Sequence, residues 1–108
     1  MEEFVLFSLQ EGDIENKAHF TPLLTELNVQ TIALVQENKF GSLHNHLFSV
    51  RERVCVLIGV LLEKKEIDSI EGNFICFLIN EYVQQEQAKC RLRTMKVLLS
   101  ESPVPAEM

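Results

Sequence analysis

A chain of 108 residues has room for one hydrophobic core and not two. With 46% apolar and 24% charged residues it has globular proportions, which excludes disorder over most of its length. Its formal net charge of −6 and its longest apolar run, nine residues from Val54 to Leu62, disfavour a nucleic-acid coat and a membrane span, the latter needing about twenty apolar residues.

The N-terminus reads "MEEFVLFSLQ", with two acids where a secretory signal carries positive charge. Cys55, Cys76 and Cys90 are odd in number, widely spaced and form no CxxC pair, so they read as free thiols of a reducing compartment. Both features point to a cytoplasmic protein. Residues 4–9, "FVLFSL", are a short apolar run ahead of the turn-like "QEGD", and periodicity alone does not separate strand from helix there. As a strand the run has no evident partner within the chain and needs an edge elsewhere, such as a second subunit.

In "AHFTPLLTELNVQTIALVQENKFGS", Thr21 reads as an N-cap and Pro22 sits in the first turn, where its missing N–H costs nothing. Leu23, Leu24, Leu27, Ile32, Leu34 and Val35 form the apolar side, and Gly41 is the expected left-handed stop. The spacing slips near Asn28, which allows two shorter helices. Ser42 reads as the next cap, followed by a stripe of Leu43, Leu47, Val50, Val54, Leu57 and Leu61 at heptad intervals. This helix should stop near "EKKEIDS", with Lys64 and Lys65 in its last turn.

A third helix is expected from Asp68 or Ser69 to about Ser100. Gly72 lies in its first turn, and "NFICFLINEYV" is apolar almost all round. Residues 54–62 and 74–83 together carry more apolar surface than a small bundle can enclose, and surplus of that kind finds a partner. The fold expected is therefore all-α, a compact bundle of three to four helices with a long C-terminal helix. Residues 1–100 form a single helical domain and 101–108 a flexible tail. The alternative is α+β, with short strands near 4–9, 53–60 and 73–79, because those stretches are rich in β-branched and aromatic residues.

No catalytic motif is present. "HNH" at 44–46 places two imidazoles about 200° apart on a helix, where they cannot share an ion, and His19 stands alone. There is no Gly-x-Ser-x-Gly, no phosphate loop and no HExxH. Glu63, Glu66, Asp68 and Glu71 read as a solvated face with helix-start acids. Cys90, flanked by Lys89, Arg91 and Arg93, is the one thiol whose surroundings favour a reactive thiolate, with an inert thiol as the default. No enzyme, cofactor or metal is implied.

What remains is "AKCRLRTMK", in which four of the ten cations fall within eight residues. Residues 1–88 hold six cations against fourteen acids, whereas residues 89–108 hold four against two. On a helical wheel Lys89, Arg93 and Lys96 make a cationic ridge beside Leu92, Met95 and Leu99. These six residues are the expected partner-binding surface, on a helix extending past the core so that residues 84–96 pair with another helix. The function expected is a small acidic interaction module, whether adaptor, chaperone-like binder or assembly subunit, acting as a homodimer or in a hetero-complex. The alternative is a small transcription regulator or an inhibitor of a DNA-binding protein. It is disfavoured by the net charge of the remainder and by the lack of interleaved aromatic residues.

Overall fold

The computed structural model describes residues 3–9 and 17–101. All regular structure among them is helical: a single 3-10 turn at Lys17–His19, then α1 (Thr21–Gln36), α2 (Phe40–Glu63) and α3 (Ser69–Glu101). The α+β alternative is thereby corrected. Residues 53–60 lie within α2 and 73–79 within α3, while residues 4–9 carry no strand ladder. Packing overrides β-propensity here. Val54, Ile58 and Leu61 turn inward at helical intervals, and Val56 and Val60 remain exposed on the other side of the same helix.

The first helix is continuous, so the division considered at Asn28 does not occur. The apolar spacing slips there because two polar residues take inward positions. Thr31 is buried and donates its hydroxyl to the Leu27 carbonyl at 2.7 Å, and Asn28 faces the N-terminal segment. The N-cap is Phe20, fully buried and making no side-chain cap bond, and Thr21 is already the first helical residue. Burial of the Phe20 ring thus anchors the helix start in place of a hydroxyl cap.

The stop expected at Gly41 falls instead on Asn38, which takes a left-handed φ of 57°. Lys39 N–H reaches the Leu34 carbonyl at 2.9 Å and Asn38 N–H the Val35 carbonyl at 3.1 Å, the paired bonds of a Schellman ending. Lys65, at φ 61°, ends α2 in the same way, through Glu66 N–H to Leu61 O at 2.9 Å and Lys65 N–H to Leu62 O at 3.1 Å. This conformation costs lysine more than asparagine or glycine, so Lys65→Gly is expected to raise stability by about 1 kcal/mol. Urea unfolding of the two proteins checks this.

The second helix begins at Phe40, two residues before the expected Ser42 cap. Its buried residues are Phe40, Leu43, Leu47, Val50, Val54, Ile58 and Leu61. One member of the heptad reading is displaced: Ile58 is buried where Leu57 was expected, and Leu57 packs at the core's edge. The third helix starts as expected. Asp68 caps it, its carboxylate accepting Glu71 N–H at 2.8 Å. Gly72 follows because α3 begins in close contact with the end of α2, and a Cβ at this position would lie 3.2 Å from Ile58 Cγ2.

The helices run up, down and up, with α1 and α3 each packed on α2 and not on one another. Leu27, Leu43, Leu47, Val50, Val54, Ile75, Ile79 and Val83 form the centre. The groove left between α1 and α3 is occupied by residues 3–9.

Candidate functional site

The third helix presents two long faces of different character, and they divide the expected binding residues between them. The inner one is apolar where it meets α2, at Ile75, Ile79, Val83 and Cys90, and polar where it meets the N-terminal segment. Tyr82, Glu86, Lys89 and Arg93 recur at intervals of four, three and four, which stacks them along one side of a helix facing residues 3–7. Glu86, 2% exposed, accepts the Val5 N–H at 2.9 Å and Lys89 Nζ at 2.7 Å. Lys89 Nζ also donates to the Glu3 carbonyl at 2.8 Å, and the Tyr82 hydroxyl donates to the Val5 carbonyl.

From the opposite wall, Asn28 of α1 accepts Phe7 N–H at 3.0 Å and donates to Phe7 O at 2.8 Å. One amide side chain thereby reproduces the two-bond exchange of a β-strand neighbour. The run that, as a strand, would have needed a sheet edge elsewhere thus has the backbone groups of Val5 and Phe7 met inside the chain by side chains. Aromatic packing adds to this. Phe7 meets Tyr82 edge-on at 5.0 Å, Phe4 stacks on Phe40 at 5.7 Å, and the Arg93 guanidinium lies 5.8 and 5.9 Å from those last two rings. Burial, reinforced by the nearby Glu86 charge, pushes the Tyr82 hydroxyl far above its ordinary pKa and keeps it a donor.

Lys89 and Arg93 therefore belong to the inner face, while Leu92, Met95, Lys96 and Leu99 point outward. The expectation that residues 84–96 extend past the core is corrected by the first turns of α2, which pack alongside them. Gln87 Nε2 donates to the His44 carbonyl at 3.2 Å, and Cys90 is buried. Phe40, His44, Arg91, Thr94 and Met95 line an open cavity of about 710 Å³ where the two helices meet.

The outer face of α3 is apolar at both ends. Ile70 is 78% exposed, Phe77 61%, Met95 57% and Leu99 72%, with Phe74 and Leu92 also open to solvent. The surplus inferred for residues 74–83 thus lies partly on the surface. That of residues 54–62 does likewise at Val56 and Val60, beside Leu23 and Leu57. The outer face was only half legible in sequence. Its C-terminal half stands out beside the basic ridge, whereas Ile70, Phe74 and Phe77 lie in a stretch so uniformly apolar that no face is distinguished.

The other candidates for chemistry are placed as follows. His44 and His46 lie on different sides of α2, and His46 is partly buried against Glu26. No group of three His, Cys, Asp or Glu side chains able to hold a metal occurs among the described residues. His19 pairs with Glu66 at 3.3 Å, and Arg53 of α2 pairs with Glu26 of α1. Cys55 and Cys76 face one another across α2 and α3, and burial followed by the neighbouring thiol raises the pKa of Cys76. The reactive reading of Cys90 does not survive. Burial and the Glu86 charge push its thiol up to about 11, outweighing Arg91.

Burial also holds the pKa of His46 below the usual 6.5. Below that value the unfolded chain takes up a proton that the folded chain resists, so this contribution to stability is present above about pH 6.5 and is lost as pH falls. Melting temperature is expected to drop between about pH 7 and 5, and His46→Gln to flatten part of that drop. Thermal melts across the range decide it.

No helix among the described residues is long and apolar enough to cross a membrane. Comparisons with protein families, curated proteins and solved structures found no match for this chain.

Proposed function

We propose that this chain is a small protein-interaction module, an adaptor, chaperone-like binder or assembly subunit that docks helix on helix through the outer face of α3. One observation carries the reading: a 33-residue helix leaves large apolar side chains open at both ends of its outer face, while its inner face packs on α2 and on residues 3–7. Apolar side chains aligned on one helix face make a docking surface for a second helix. Nothing in the mechanism is covalent; the module holds a partner in place. The nucleic-acid alternative is weaker than the sequence suggested, since Lys89 and Arg93 are turned toward residues 3–7.

The paired substitution Met95→Glu and Leu99→Glu tests this reading. Both side chains are exposed, so the melting temperature should be unchanged, the stability cost staying within about 0.5 kcal/mol. Affinity capture with the tagged full-length protein should retain a stoichiometric protein partner, this chain included, and the double variant should lose it. Retention undiminished by the substitutions would refute the assignment of the face.

A further inference from the structure

The outer face of α3 carries a second regularity, in its spacing. Ile70, Phe74, Phe77 and Glu81 are followed, 18 residues on, by Ala88, Leu92, Met95 and Leu99. Eighteen residues are five turns of an α-helix, so the two quartets fall at the same angles, within a sector about 60° wide. Each quartet is spaced four, three, four, and the pattern reads the same in both directions about a midpoint between Gln84 and Gln85.

A stripe that is its own reverse is what an antiparallel two-fold pair requires, since such an interface sets one patch against itself. We infer that the outer face of α3 pairs with the α3 of a second copy, antiparallel, about a two-fold axis at Gln84 and Gln85. This rests on the reading of α3 as a docking helix and names what docks. Ile70 then lies level with Leu99 of the second copy, Phe74 with its Met95, Phe77 with its Leu92, and Glu81 with its Ala88.

Charge decides the direction. Apart from Glu86, Lys89 and Arg93, which face residues 3–7, the N-terminal half of α3 carries Glu71 and Glu81, and the C-terminal half carries Arg91 and Lys96 ahead of the terminal Glu101. Antiparallel pairing sets the acidic half of one helix against the basic half of the other and brings Arg91 within about a turn of Glu81. A parallel pair would set Glu81 against Glu81 and Arg91 against Arg91. The antiparallel pair also lays the open Leu92, Met95 and Leu99 of each copy over the open Phe77, Phe74 and Ile70 of the other, so each copy covers both ends of its partner's stripe.

Disulfide trapping in the full-length chain tests both the occupant and the direction. Gln84→Cys, an exposed site, stands beside its own mate across the axis. Under mild oxidation it should form a covalent dimer at least tenfold faster than the wild type, which reports any contribution from the native thiols. Ile70→Cys alone should be no faster than wild type, because its mate lies about 43 Å away along the pair. Ile70→Cys mixed with Leu99→Cys should cross-link. Unchanged helicity by circular dichroism certifies each variant, and Gln85→Cys repeats the central test from the other side of the stripe.

Self-cross-linking of Ile70→Cys as fast as Gln84→Cys would establish a parallel pair and overturn the proposal. No cross-linking beyond wild type at any of these sites would overturn the second copy as occupant. The docking reading itself would then stand or fall on the capture experiment with Met95→Glu and Leu99→Glu.

Discussion

Replacing Glu86 with alanine is expected to lower stability by about 2–4 kcal/mol, one of the two largest effects of any single substitution considered. The carboxylate is buried and serves two donors, the Val5 N–H and the Lys89 ammonium. Its removal orphans both and loosens the anchor of residues 3–7 on α3. Glu86→Gln separates the two roles. The amide oxygen still accepts the Val5 N–H while the charge opposite Lys89 is gone, so the cost should fall to about 1 kcal/mol. Urea unfolding of the three proteins measures the difference. Equal losses for alanine and glutamine would show that the ion pair, and not the backbone bond, holds the segment.

Leu47→Ala is expected to cost about 3–5 kcal/mol, because the side chain is wholly enclosed and α2 cannot close on the cavity while α1 and α3 flank it. Leu57→Ala, at another position of the same heptad stripe, should cost only about 1–2 kcal/mol, since its side chain sits at the core's edge. Ile58→Ala should fall with Leu47→Ala. The ordering of the three in unfolding experiments tests the rotation of α2. A cost for Leu57 matching that of Leu47 would restore the strict heptad.

That displacement from Leu57 to Ile58 shows how far sequence alone can be read. Helix number, order and approximate bounds follow from periodicity and punctuation, and α3 begins at the Asp68 cap that the pattern indicated. The turns were less legible, because both left-handed positions are held by Asn38 and Lys65 where glycine would have announced them. Residues 4–9 could not be assigned from their own pattern. Their partners, Asn28, Tyr82 and Glu86, are side chains from two distant helices, and no local signal marks a segment satisfied in that way.

The basic octet was visible, but the helical wheel grouped Lys96 with Lys89 and Arg93, whereas Lys96 is exposed on the outer side; which face meets the rest of the chain depends on packing. Lys89 and Arg93 looked like a solvent ridge because the segment they touch lies more than eighty residues earlier. The reciprocal spacing of the outer stripe is present in the sequence as well. It acquires meaning only once α3 is known to be one helix with that face uncovered.

The central claim is that the outer face of α3 is a contact surface and that a second copy satisfies it. Light scattering on the full-length protein at micromolar concentration tests this most directly. The predicted result is a mass twice the chain's 12.4 kDa, reverting to 12.4 kDa with Met95→Glu and Leu99→Glu. A wild-type mass of 12.4 kDa under the same conditions would contradict it.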